Sequence, residues 1–399
     1  MRKEWYFWEF WGSFVAQPLM VELKKVMNTF EKYRDDEAFN DELWYYHRTY
    51  CWRPTILTHC KRLSKHLWWA QIYLKREDMT NIWAHKINHS IYQWLLALRM
   101  WKKELIAETW AWMHGTATAT VGAMLWLPVK VFMWAKDIER QAMNVERIKM
   151  LGAEIISVEE WSQTLKDAVN AAMKYRTNNL DDWYYLLGSA LGPHPYPTIV
   201  WYSQSIVWKE VKKQFKELSW QILPDLVCAC VWWGSNAIGI FSAFVDDKAV
   251  KLIWVEAWWQ WVSTLWEHAA RIDWQQWTVW IMQWYKSYFL QDKVWNMMET
   301  SSISAWLDYA WIWPEHAYLH SLWRAQYVSA TDEEVMNAFN LLAQKEWILS
   351  ALESAHAVAY AIKQSQNMNP SQNIIVNLSW RWDKDLHTIL NYKEEKCVE

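Results

Sequence analysis

From residue 128 onward, short apolar runs alternate with segments whose apolar positions recur every three or four residues. Residues 129–133 read as a buried strand, and 136–151 as a helix with Ile138, Ala142, Val145 and Ile148 on one face. Gly152 follows its last turn, where a left-handed residue is wanted. A strand at 154–158 comes next, then Ser162 placed to cap a helix through Tyr175, a strand at 184–187, and a helix after Pro197. Residues 226–231 read as a strand running into Gly234-Ser235-Asn236 and a short apolar helix, and 251–256 as another strand. Thr331-Asp332-Glu333-Glu334 is a capping box ahead of Val335, Phe339 and Leu342, and 373–378 is a late buried strand. Alternation of this kind predicts an α/β fold of mainly parallel sheets flanked by helices. Two such runs suggest two α/β domains, 1–203 and 204–399, with one segment near 53–85 crossing between them. In that architecture a ligand sits at the carboxyl ends of the strands, in the cleft between the halves.

Charge narrows the partners. With 41 Lys+Arg against 44 Asp+Glu the net charge is −3, so no broad positive field exists to collect nucleic acid or an anionic membrane. Residues 109–129, 183–208 and 226–245 carry no charged side chain. Each is broken by turn or polar residues such as His114-Gly115-Thr116 or Pro193-His194-Pro195, which argues against a membrane span. Cys51, Cys60, Cys228, Cys230 and Cys397 show no zinc or disulfide spacing, and Met1-Arg2-Lys3-Glu4 opens no apolar leader. The expectation is a reduced, cytoplasmic setting with no metal centre. One pair of counts is abnormal: 8 Gly and 38 Trp, where an average chain of 399 residues has about 28 Gly.

Several residues are suited to chemistry, each with a plainer reading beside it. Gly234-Ser235-Asn236 between a strand and a helix is either an anion-binding turn or an ordinary one. Lys86 enters the apolar helix of Ile87, Ile91 and Leu95; it is either a buried nucleophile of lowered pKa or a snorkelling surface lysine. Glu108, after Leu105-Ile106-Ala107, is either an acid–base residue at a strand end or a surface acid. Asp308 and Glu346 are equally open on their own.

Taken together, the segments resemble the tryptophan synthase β chain, a pyridoxal-phosphate (PLP) enzyme of fold type II, over nearly the whole length. The likeness is carried by Lys75-Arg76-Glu77-Asp78, Ala84-His85-Lys86-Ile87-Asn88, Ala107-Glu108-Thr109, His114-Gly115-Thr116-Ala117-Thr118 and Asp137-Ile138-Glu139-Arg140-Gln141. It continues through Gly192-Pro193-His194-Pro195-Tyr196-Pro197, Gly234-Ser235-Asn236-Ala237-Ile238-Gly239, Pro314-Glu315-His316-Ala317, Ala351-Leu352-Glu353-Ser354 and Val376-Asn377-Leu378-Ser379. The resemblance implies a lyase of tryptophan biosynthesis that converts L-serine and indole to L-tryptophan and water through an aminoacrylate. It implies that Lys86 carries PLP and moves the α-proton, that Glu108 is the acid–base residue at the β-carbon, and that Asp308 orients the serine-derived group. His85, Gly234, Ser235 and Asn236 would bind the phosphate, Ser379 the pyridine nitrogen, and Glu346 would lie beside the ring. Thr109, Ala111 and His114 would grip the substrate carboxylate. A monovalent cation (Na+ or K+), an α chain, and a homodimer within an α2β2 assembly are implied as well.

Where the family has glycine, this chain repeatedly has tryptophan: Trp83, Trp110, Trp112, Trp232, Trp233, Trp284, Trp306, Trp311, Trp313, Trp347, Trp380 and Trp382. An L-residue held in the left-handed region costs about 1–2 kcal/mol. The contrary expectation is therefore an altered scaffold, impaired or unable to seat PLP.

Overall fold

The computed structural model describes residues 10, 12–109, 113–135, 138, 142–159, 171–172, 174–175, 179–231, 234–258, 277–282, 284–298, 302–304, 307 and 310–398. Two parallel sheets organise it. Strands β1 (Leu57–His59), β2 (Gln71–Arg76), β7 (Leu226–Cys230), β8 (Lys251–Trp258), β11 (Ala325–Thr331) and β12 (Asn373–Leu378) form a six-stranded sheet, ordered β1-β2-β12-β7-β8-β11. Only the β1–β2 edge pair is antiparallel. Strands β3 (Glu104–Glu108), β4 (Val129–Trp134), β5 (Glu154–Val158) and β6 (Trp183–Tyr185) form a four-stranded parallel sheet, ordered β5-β4-β3-β6. A short antiparallel pair, β9 (Thr278–Met282) and β10 (Tyr285–Phe289), stands apart from both. Every residue of β7 and β12 is buried, as expected of central strands covered on both faces.

Helices α1 (Gln17–Tyr33), α2 (Glu37–Thr49) and α3 (Lys61–Leu67) lead to α4 (Lys86–Arg99), buried along most of its length. Helices α5 (Met113–Leu125) and α6 (Ala142–Met150) pack with the four-stranded sheet. Then come α7 (Tyr196–Ser203), α8 (Ser205–Ser219), α9 (Ser235–Phe241), α10 (Pro314–Ser321), α11 (Asp332–Glu346), α12 (Leu352–Ser365) and α13 (Leu386–Val398). The expected capping box is formed: the Thr331 hydroxyl accepts from Glu334 N, and the Glu334 carboxylate accepts from Thr331 N. Gly152 is left-handed, at φ +81°. The helix read from Ser162 lies largely outside the described residues.

A buried ion cluster fixes the end of β2 against α4. Arg53 pairs with Glu77 and, at 2.8 Å, with Glu210; Lys75 Nζ lies 2.5 Å from the same Glu210 carboxylate. Asn88, one turn into α4, donates to Glu77 (3.1 Å) and to Gln204 (3.0 Å) and accepts from Arg53 Nε (3.0 Å). Two cations face two carboxylates, so the charges are compensated where water is excluded.

Tryptophan takes over the turn positions. Trp52, Trp68, Trp83, Trp101, Trp126, Trp220, Trp284, Trp295, Trp323 and Trp347 all have φ between 54° and 71°. Trp68, Trp220 and Trp347 are the left-handed caps that end α3, α8 and α11, a position where glycine is the usual solution. Of the tryptophans singled out from sequence, Trp83, Trp284 and Trp347 are left-handed. Trp311, Trp313, Trp380 and Trp382 are not among the residues at positive φ, and the first three are buried. Trp110, Trp112, Trp232, Trp233 and Trp306 lie outside the described residues.

Trp101, Trp126, Trp220 and Trp323 are about nine-tenths exposed, so their rings gain little from packing (88, 92, 91 and 88%). Returning each to glycine relieves about 1–2 kcal/mol of backbone strain. About 0.4–1 kcal/mol is given back through the freer unfolded chain. Each substitution is expected to stabilise by about 0.5–1 kcal/mol, read as a higher urea midpoint at unchanged m. A lower midpoint for all four would refute the strain argument.

Candidate active site

Three neighbouring strands end at one place. Strand β2 leads through a 3-10 turn, Glu77–Met79, to Lys86; β12 leads to Ser379; and β7 leads towards Gly234. The approach to Lys86 is held by Thr80, whose hydroxyl donates to Ala84 O (2.8 Å) and accepts from Ala84 N (3.0 Å). His85 N donates to Ser379 O (3.2 Å), and the His85 ring shares a hydrogen bond with Ser235 Oγ (2.9 Å) and stacks on Trp380. Lys86, His85, Ser235 and Ser379 are thereby joined in one network. Gly234 has φ +85° and precedes α9; a Cβ there would overlap the His316 imidazole, so this left-handed turn has no room for a side chain. Asn236 donates to Cys230 O (3.1 Å), while its buried Oδ1 has no hydrogen-bond partner. Ser379 is fixed by Ser354, which accepts from Ser379 N (3.1 Å) and lies 3.1 Å from its hydroxyl.

The four-stranded sheet supplies the opposite wall. Glu108 is the last residue of β3 and is 1% exposed. Thr109 follows, its N–H donating to Phe132 O (3.0 Å) and its hydroxyl accepting from Gly115 N (3.3 Å). His114, in the first turn of α5, bonds Leu186 O (2.8 Å). Gly188 O accepts from Lys86 Nζ at 2.5 Å, so the lysine reaches from one sheet to the loop of the other.

Burial sets the proton affinities. Lys86 is lowered to about 7 by loss of hydration, with the Glu108 charge pulling the other way. Glu108 is raised to about 7, again by burial, with the Tyr185 hydroxyl and Lys86 as weaker opposing influences. His85 and His114 are pushed down by burial and by Lys86, so both imidazoles are neutral near pH 7. Burial thus lowers a base and raises an acid that lie within electrostatic reach of one another. The snorkelling alternative for Lys86 and the surface alternative for Glu108 both fall to this burial.

Glu346 is not in the cleft. It ends α11, and its carboxylate accepts from Leu63 N (2.6 Å) at the start of α3. The carboxylate that lines the pocket is Glu353, with His85, Lys86, Ser189, Cys230, Gly234, Ser235, Asn236, Leu307 and Trp380. Sequence reasoning missed Glu353 although Ala351-Leu352-Glu353-Ser354 was in view. Its place in the first turn of α12, facing the ends of β7 and β12, was the signal. It pairs with buried Lys384 at 2.7 Å, and burial raises it to about 7. Asp308 and Ala111 lie outside the described residues. Among the described residues no group of His, Cys, Asp and Glu could hold a metal ion, and no helix is long and apolar enough to cross a membrane.

These shifts give a stability signature with two opposite slopes. Lys86 binds its proton less tightly when folded, so its contribution rises with pH between about 7 and 10.5, by at most about 1.4 kcal/mol per unit. Glu108 binds its proton more tightly when folded, so its contribution falls with pH between 4.5 and about 7. Lys86→Met should flatten the upper window relative to the parent chain, and Glu108→Gln the lower, in denaturant titrations across pH. Parallel curves for parent and variants would place both groups in water.

Relatives of known identity agree with this geometry. The family of pyridoxal-phosphate dependent enzymes matches residues 48–279. The tryptophan synthase beta chain of Bacillus pumilus (strain SAFR-032) is 47% identical over 388 residues, 97% of this chain and 96% of that one. The tryptophan synthase beta chain of Fusobacterium nucleatum is 45% identical over 394 residues, 99% of each. The crystal structure of a fungal L-serine ammonia-lyase from Rhizomucor miehei superposes with a TM-score of 0.64, covering 86% of this chain and 98% of that one; at 16% identity it speaks for the fold. The chain belongs to the pyridoxal-phosphate-dependent enzymes, in the family of tryptophan synthase β chains.

Proposed function

We propose that the chain replaces the β-hydroxyl of L-serine with indole, releasing L-tryptophan and water. The observation that carries this reading is the placement of Lys86, fully buried beside His85, Ser235 and Gly234 with its amine on Gly188 O, and within electrostatic reach of the buried Glu108. The donor set suits PLP: a buried primary amine, the His85–Ser235 hydrogen bond, the left-handed Gly234 turn that admits no Cβ, and the unpartnered Asn236 Oδ1. The backbone N–H groups that open α9 are free of intrahelical partners and suit a phosphate. Lys86 would hold the group covalently through Nζ; His85, Gly234, Ser235 and Asn236 would bind its phosphate, and Ser379 its pyridine nitrogen. When bound, PLP supplies an electron sink for charge developing at the amino acid's α-carbon.

The chain's own residues do the remaining work. Lys86, neutral above about pH 7, takes the α-proton and later returns it. Glu108, protonated below about pH 7, hands its proton to the departing β-hydroxyl. Thr109, Ala111 and His114 grip the substrate carboxylate, and Asp308 orients the serine-derived group. Burial excludes water from both proton transfers. An α chain as partner, a homodimer within α2β2, a Na+ or K+ ion, and a cytoplasmic setting belong to the same proposal. They are supported by the family to which the chain belongs.

PLP added to the purified chain is expected to give a visible absorbance band that borohydride fixes onto Lys86 and that serine shifts. Glu108→Gln should keep the band while lowering tryptophan formation by about 10²–10⁴-fold. A folded chain that gives no band at saturating PLP would overturn the reading.

A further inference from the structure

Trp83 lies three residues before Lys86 in a left-handed conformation (φ +62°), and its side chain is half-buried. Two guanidinium groups flank that ring. Arg381 Cζ stands 3.4 Å from its centroid and Arg147 Cζ 5.2 Å. Asp383 joins the two arginines, at 3.2 Å from Arg381 Nε and 3.5 Å from Arg147 Nη1. The backbone closes the arrangement, since Arg381 N donates to Trp83 O (3.2 Å) and Ala84 pairs with Trp380.

The four residues come from opposite sides of the cleft. Arg147 is on α6, which packs on β5 and α5 of the four-stranded sheet. Trp83 leads into Lys86 after β2, and Arg381 and Asp383 follow Ser379 after β12, both strands of the six-stranded sheet. We propose that Arg147, Trp83, Arg381 and Asp383 form a clasp across the cleft that positions the Lys86 and Ser379 loops against the four-stranded sheet. Moving the sheets apart must unstack Arg147 from the indole and part it from Asp383. The ring is the essential member. Asp383 alone serves two guanidinium groups, and the ring face supplies the further attraction that offsets their mutual repulsion. The part of the clasp that concerns cofactor exchange rests on the PLP reading above; the part that concerns the loops does not.

The clasp is a positioning device, so its test reads the loops directly. Amide hydrogen exchange is followed at residues 83–86 and 379–382 of the full chain without PLP, in parent, Arg147→Met, Trp83→Gly and the double variant. Exchange there is expected to rise about five-fold in each single variant, with the double no faster than Trp83→Gly alone and β12 unchanged. High salt should move the parent towards Arg147→Met, because the charged members are a fifth to a third exposed (Asp383 20%, Arg381 35%, Arg147 36%). Arg147→Lys should restore part of the protection. With PLP loaded, its release on dilution, followed by the loss of the visible band, should quicken in the same order. Unchanged exchange in Arg147→Met, additive effects in the double variant, or an equal rise in β12 would each overturn the clasp. A chain that binds no PLP but shows the exchange pattern would retain the clasp and lose the catalytic reading.

Discussion

Removal of one ammonium group from water is the constraint around which the molecule is arranged. Lys86 is 2% exposed at the start of a buried helix. Its electrostatic counterpart is Glu108, at the end of a strand in the other sheet. The two sheets therefore meet where a base and an acid each depress the cost of the other's charge. Behind Lys86 the Arg53, Glu77, Lys75 and Glu210 cluster and Asn88 keep the helix from turning the amine outward. In front, Gly188 O accepts a hydrogen bond from it. A lysine left to itself would uncoil to the surface; here buried polar groups on both sides close that route.

Tryptophan at glycine positions loads the opposite side of the balance. Ten described tryptophans occupy the left-handed region. The cost is spread unevenly. At exposed helix ends it is backbone strain alone, confined to the turn. At Trp83 the indole gains partners, so one substitution of the same kind binds two halves together rather than merely straining them.

Much of this was legible in the chain itself. Strands β4, β5, β8 and β12 follow their apolar runs to within a residue or two, and the Thr331 box and Gly152 cap carry local signals that tertiary contacts did not override. Pairing was less legible. Strands β1 and β2 lie far from β12 in sequence and join it through contacts that periodicity does not encode. At the site, Lys86 and Glu108 stood out as charges at the edge of apolar runs, but only burial decides between a nucleophile and a surface group. Glu346 and Glu353 are seven residues apart and equally acidic. Trp347 ends one helix between them, and the next helix turns Glu353, not Glu346, towards the cleft.

The left-handed tryptophans have a further consequence on the reading proposed above. The chain is assembled from 38 copies of the amino acid it would release. A molecule that completes fewer than 38 turnovers is a net drain on the supply it serves. Its translation would stall first when that supply runs short, at the moment demand for the enzyme is highest. Turns built from indole where glycine would serve thus tie the abundance of the catalyst to the concentration of its own product.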